Sequence, residues 1–157
     1  MRKGYLATYA KVLLIIIFIV GIALGVYYFL KDKYGSEQLK TIKTDMLLIE
    51  GKTKIIAQKV KIKEKNASYI GKKISDITQE SDDIKFLQEQ GIIDIKVKNT
   101  NYYVLDKSNL EELGLQTIKL EEGCYIVEYN TNEIIYSKGV TGTDGTTKYK
   151  LSELQNN

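Results

Sequence analysis

The run from Val12 to Leu30 holds nineteen residues and no charge. A helix of that length rises about 28 Å, close to the hydrocarbon thickness of a bilayer. A buried helix of a water-soluble domain would show an amphipathic stripe, and none interrupts this run. A cleaved signal peptide is the rival reading, and the basic start fits it. The run is longer than an ordinary signal core, however, and its one small-x-small step, Ala23-Leu24-Gly25, lies inside it. The sequence therefore favours a retained, single-pass transmembrane helix. Residues 1–11 form a basic tail, 12–30 the membrane helix, 31–66 an amphipathic helix or stalk, and 67–157 a folded α+β domain.

Arg2, Lys3 and Lys11 precede the run; Lys31 and Lys33 follow it, with Asp32 between them. A short, purely basic tail is expected on the cytoplasmic side, which puts the C-terminal domain outside the cell membrane. Tyr5 and Tyr9 on one side, and Tyr27, Tyr28 and Tyr34 on the other, suit the two membrane interfaces. Membrane lipid is thus the first expected partner. The chain has 23 Lys+Arg and 20 Asp+Glu; beyond Arg2, Lys3 and Lys11 it carries 20 of each. A formally neutral domain has no general nucleic-acid footprint, so no nucleic acid is expected.

There is no His, no Trp and no Pro, and Cys124 is the one cysteine. A single chain of this kind builds no Ser–His or Cys–His pair, no His-ligated metal site and no internal disulfide. Cys124 reads as a small apolar strand residue. The acids Asp82-Asp83, Glu111-Glu112 and Glu121-Glu122 are sequence neighbours. Paired carboxylates do glycosidic chemistry only across a cleft, and neighbours at helix starts and turns are usually solvated caps. The loop Gly139 to Gly145 lacks the strand–glycine–helix context of a phosphate cradle, and Asp144 alone is too few ligands for calcium. The expectation is no catalytic residue, no cofactor, no metal and no evident small-molecule substrate: not an enzyme.

Ser36 to Lys65 reads as a helix. Leu39, Ile42, Met46, Ile49, Thr53, Ile56 and Val60 recur at spacings of three and four, with lysines opposite. Three heptads admit a coiled coil, but one helix lying on its own domain is favoured. Gly35-Ser36 is a weak joint to the apolar run. Ser81 caps a short helix that Gly91 ends. A second helix over Asp106 to Leu113 is expected with Ser108 as cap, Glu111 three later and Gly114 closing. Ile92 to Val97, Tyr102 to Leu105, Leu115 to Leu120, the hairpin Tyr125 to Tyr136 around Thr131-Asn132, and Lys148 to Leu151 read as strands. Gly139 to Thr147 reads as a loop with a turn at Asp144-Gly145, and Ser152 to Asn157 as a polar, fraying tail. The resulting fold class is α+β: the long helix packed on a small antiparallel sheet of four to six strands, with short helices.

Seven tyrosines lie between Tyr69 and Tyr149. High strand propensity accounts for them. An exposed tyrosine face would instead suit an anchored binding module for a wall polymer, a peptide or a protein partner.

The layout resembles a type IV pilin or pseudopilin. Lys3-Gly4-Tyr5 is similar to the lysine–glycine–aromatic start of a processing site, and Tyr129 to Tyr136 is similar to the late hairpins of pilin-like proteins. Tyr9 stands where pilins carry a glutamate after the processing glycine, Lys11 where they continue apolar, and the mid-helix proline is absent. The resemblance implies cleavage between Gly4 and Tyr5. It also implies an extracytoplasmic domain with a structural or assembly role through protein–protein contacts, with a protein partner or with itself.

Overall fold

The computed structural model describes residues 2–77, 81–97 and 100–156, with side chains from Thr8 onward. One helix, α1, covers Arg2–Lys61. The chain divides into two compact units, Met1–Glu37 and Gln38–Asn157.

In the first unit the helix carries Val12 to Leu30, and their large apolar side chains are all exposed. The helix is long and apolar enough to cross a membrane, and none of its most apolar stretch is buried. The helix runs through Gly35-Ser36, the weak joint of the sequence, without a break. Without proline, nothing removes a backbone donor there, and glycine alone costs a helix only about 1 kcal/mol.

The second unit is α+β. After α1 come β1 (Lys72–Lys73), a 3-10 turn (Ile74–Asp76), α2 (Asp82–Glu89), β2 (Tyr102–Leu105), α3 (Lys107–Glu112), β3 (Tyr125–Glu128), β4 (Glu133–Thr141), β5 (Thr147–Lys150) and α4 (Leu151–Gln155). The five strands form an antiparallel meander in chain order. The hairpin register pairs Tyr125 with Tyr136 and Val127 with Ile134 around the expected turn. Asn132 holds a φ of 58° there, a left-handed conformation that asparagine tolerates.

Both faces of the sheet are covered. Met46 and Ile49 of α1 pack in one cluster with Leu105, Tyr125, Val127, Tyr129, Ile134 and Tyr136, joined by Leu110, Leu113, Leu115 and Ile118. The alternate residues Ile126 and Ile135 point the other way, into a cluster with Ile74, Ile84, Leu87 and Ile93. Strand side chains alternate between faces, so a strand buried on both reads as a continuous apolar run. Tyr125-Ile126-Val127 is such a run, and every residue of β3 is buried. The helical stripe expected from Leu39 to Val60 lies against this core as far as Ile56. Its one polar member, the fully buried Thr53, donates its hydroxyl to the Ile49 carbonyl at 2.8 Å.

Two expected strands, Ile92 to Val97 and Leu115 to Leu120, are absent. Ile92 to Val97 is irregular because the end of α2 claims its donors: Ile92 N–H donates to Leu87 O at 2.9 Å and Gly91 N–H to Gln88 O at 3.0 Å. This is a Schellman closure around Gly91, whose φ is 67°. Leu115 to Leu120 is irregular for the same reason. Leu115 N–H donates to Leu110 O at 2.8 Å and Gly114 N–H to Glu111 O at 2.9 Å. The cap of α3 is Asp106 rather than Ser108, in a reciprocal box with Asn109. Strand β4 runs on to Thr141, through the segment expected as loop, by means of an irregular register between Ile135 and Val140. Gly139 makes that possible: its φ is 66°, and a Cβ there would lie 2.7 Å from Thr147 Cγ2.

Of the tail expected to fray, residues 152–156 are docked, and Asn157 lies outside the described residues. Leu151 and Leu154 are buried in the main core as α4. Lys43 Nζ on α1 donates to the Leu154 carbonyl at 2.7 Å, and Ser152 N–H donates to Glu133 Oε1 at 3.0 Å. A lysine charge at a helix C-terminus also matches the helix dipole.

Candidate functional site

Three polar constellations in the second unit bring together residues far apart in sequence. The first is a cleft lined by Thr100, Tyr102, Glu128, Thr131, Glu133, Ile135 and Lys150. Glu128 is only 4% exposed. Its Oε1 accepts from Asn101 N–H at 2.8 Å, and its Oε2 accepts from Thr131 N–H at 2.7 Å and Thr131 Oγ1 at 2.6 Å. Charge-assisted bonds of this kind are strong, and they spend the carboxylate on fixing the β3–β4 turn. Glu133 is likewise engaged by Ser152 N–H.

The second is a groove beside α1, where Asp45 faces Thr117, Lys119, Glu121, Glu122 and Tyr136. Tyr125 donates its hydroxyl to Asp45 Oδ2 at 3.3 Å, and Tyr136 donates to the Glu122 carbonyl at 3.3 Å. Burial raises the Asp45 carboxyl above the usual carboxylate range, and the Tyr125 bond partly offsets this.

The third ties α2 to the sheet. Ser137 donates to Asp83 Oδ2 at 3.0 Å while accepting from Cys124 N–H at 2.9 Å, and Lys138 Nζ bonds Asp83 Oδ1 at 2.9 Å. The Lys138 hydrogen bond holds the Asp83 carboxyl below its ordinary value, and Asp83 in turn raises the Lys138 ammonium. Burial pushes the Cys124 thiol up, away from the reactive thiolate. A serine bonded on both sides, a lysine held charged and a protonated cysteine make a clamp, not an activated nucleophile.

Among the described residues no group of three or more His, Cys, Asp or Glu could hold a metal ion. Asp144, the acid of the glycine-rich loop, accepts from Thr146 N–H at 3.0 Å and Thr146 Oγ1 at 2.7 Å, which holds it down to about 2. It serves the second hairpin turn. The adjacent acid pairs do not face each other across a cleft: Asp83 joins the clamp, and Glu121 and Glu122 edge the Asp45 groove.

None of the seven domain tyrosines is exposed. Tyr125, Tyr129 and Tyr136 are buried; Tyr69, Tyr102, Tyr103 and Tyr149 are half-buried. Tyr69, Tyr103 and Tyr129 stack on each other, with ring centroids 4.4 to 5.4 Å apart. Gly4 and Tyr5 fall in the N-terminal turns of α1, and their side chains lie outside the described residues.

Comparison with protein families, curated proteins and solved structures finds no match to the chain.

Proposed function

We propose that the chain is a single-pass membrane protein with a pilin-like extracytoplasmic domain, working as a structural or assembly component through protein–protein contacts. One observation carries this reading. The same helix that is apolar and uncovered from Val12 to Leu30 supplies, from Leu39 to Ile56, the inner wall of a closed α+β core. An anchor and a domain built on one helix suit a component held at a bilayer surface. The carboxylates and hydroxyls of the domain are largely engaged in turns and clamps. That supports a role in contacts over one in bond chemistry.

The test is membrane residence and topology together. The chain is expected to stay in the membrane fraction after alkaline extraction. A C-terminal tag is expected to be cut by protease added outside intact cells. Replacing Val20 and Ile22 both by lysine should oppose insertion by about 5–7 kcal/mol and release the chain. A wild-type chain that alkali extracts, or a tag that outside protease never reaches, would overturn the reading. A mature N-terminus at Tyr5, read by mass spectrometry, would extend the likeness to pilin processing.

A further inference from the structure

The face of α1 turned away from the sheet carries a second pattern. Leu48, Ile55 and Ile62 recur every seven residues and are 46%, 53% and 73% exposed. Ile62 lies just past the helix end, and its N–H still donates to Gln58 O at 3.0 Å. Between them stand Gly51 and Gln58, both exposed, and a Cβ on Gly51 would meet nothing within 4 Å. In heptad terms Leu48, Ile55 and Ile62 occupy one seam position, and Gly51 and Gln58 the other. The two flanks are then Lys52 and Lys59 on one side, and Lys54 and Lys61 on the other. Among the described residues only Lys59 of these four meets an acid, a half-exposed pair with Glu64 at 3.7 Å. Such a pair is worth little and exchanges easily.

We infer that this face docks an acidic amphipathic helix contributed by a protein partner. The inference rests on the proposed role in protein–protein contacts and names the partner's chemistry. A narrow seam, widened by Leu47 beside Leu48 and with glycine or polar side chains between the later apolar residues, matches a second helix. A membrane surface selects a wide apolar face with aromatic residues, which this seam lacks. The flanks exclude a second copy. In a parallel pair Lys54 would face Lys59 of the other chain, and in an antiparallel pair lysine flanks would again meet lysine flanks. Like charges across a helical interface are unfavourable in both orientations. A helix with glutamates at its flanking positions meets all four lysines with opposite charge, and the bare backbone at Gly51 lets it approach closely.

The experiment uses the full chain in nanodiscs of zwitterionic lipid and two synthetic three-heptad helices with the same Ile/Leu seam. One helix has Glu at every flanking position, the other Lys. Fluorescence anisotropy is expected to give about tenfold or tighter binding of the acidic helix, weakening as salt rises. The double variant Lys52→Glu/Lys59→Glu, on solvent-exposed positions that leave the core alone, leaves two lysines facing two glutamates and is expected to abolish the preference. Ile55→Ser is expected to weaken the acidic helix by about tenfold. Equal binding of both helices, binding of neither, or a preference unmoved by charge reversal overturns the inference. So does disulfide-linked dimer formation by Ile55→Cys with no effect of the acidic helix. Capture of anionic-lipid vesicles that the acidic helix does not compete away is a further refuting result. An extractable chain that still binds the acidic helix would sink the membrane proposal alone; a membrane-resident chain that ignores it would sink this inference alone.

Discussion

Replacing Tyr129 by phenylalanine isolates one hydroxyl at the centre of the second unit. That hydroxyl donates to the Ile70 carbonyl at 2.8 Å and accepts from the Ile70 N–H at 3.2 Å. It therefore saturates both backbone groups of a residue just ahead of β1. The ring packs tilted against Tyr69 at 4.4 Å and edge-to-face against Tyr103 at 5.2 Å, contacts that phenylalanine keeps. The loss is two hydrogen bonds at a half-buried amide, about 1–3 kcal/mol of stability at pH 8. A second consequence separates this account from loose packing. Burial pushes the Tyr129 phenol from 10.0 up to about 12. The folded chain thus holds this proton where the unfolded chain releases it. Stability falls with rising pH between about 10 and 12, by up to about 1.4 kcal/mol per pH unit for this group. The phenylalanine variant lacks that slope. Urea unfolding followed by near-ultraviolet circular dichroism at pH 8 and pH 11 should find the wild type ahead at pH 8 and its lead reduced at pH 11. The other tyrosines titrate in both proteins and cancel. Equal stability at pH 8, or a lead unchanged at pH 11, would refute the reasoning.

Gly123→Ala should cost about 1–3 kcal/mol, seen as a lower Tm, because its φ is 70° and a Cβ would lie 2.5 Å from Ser137 Oγ, inside the α2 clamp. Leu154→Ala should cost about 2–5 kcal/mol in urea unfolding, since the residue is 2% exposed in the main core; a change below about 0.5 kcal/mol would mean the tail is not docked. Asp83→Asn should remove an acid-sensitive component of stability. The wild-type carboxyl is depressed below its ordinary 3.8, so its contribution is present above that pH and lost as pH falls through the lower folded value. Parallel acid-unfolding curves for Asp83→Asn and wild type would contradict the clamp.

Where local chemistry and core burial point the same way, the sequence is legible. Spacings of three and four from Leu39 to Ile56 mark the face of α1 that packs inward. Ser81 caps α2 by accepting from Ile84 N–H at 3.4 Å, and Gly91 takes the positive φ that ends it. The misread segments have a common cause. Ile92-Ile93 and Leu115 are apolar residues directly after a glycine-closed helix, and the closure consumes the amides a strand would need. Their side chains still reach the core, so hydrophobicity marked burial correctly and geometry wrongly. The tail is illegible for a different reason: Leu151 and Leu154 are too few to reveal a period, and the lysine that meets the Leu154 carbonyl, Lys43, is more than a hundred positions away. Glu128 was equally hidden. Its three donors come from Asn101 and Thr131, and nothing near it in sequence marks a buried carboxylate.

The two-sided burial of the sheet bears directly on how the domain can meet a partner. A sheet with one open face offers that face, and a sheet with a long bare edge offers strand addition. Here β3 and most of β4 are buried, so no broad sheet face is free. The edges are β1, two lysines long, and β5, which carries Lys148 and Lys150 and passes directly into α4. Short edges bearing lysine discourage pairing with another chain. Among the described residues of this unit, the outer side of α1 is a regular surface that stays accessible. From Leu47 to Ile62 its outer side keeps four large apolar residues exposed: Leu47, Leu48, Ile55 and Ile62. Exposing them in water costs stability that selection for folding alone would not retain, while a flank of lysines keeps the surface soluble and repels copies of itself. A domain with a closed sheet, blunted edges and one patterned helix is suited to contacts made helix to helix. Under the proposed docking, substitutions at Ile55 or Lys59 are expected to weaken capture of the acidic helix in the anisotropy assay while leaving Tm unchanged.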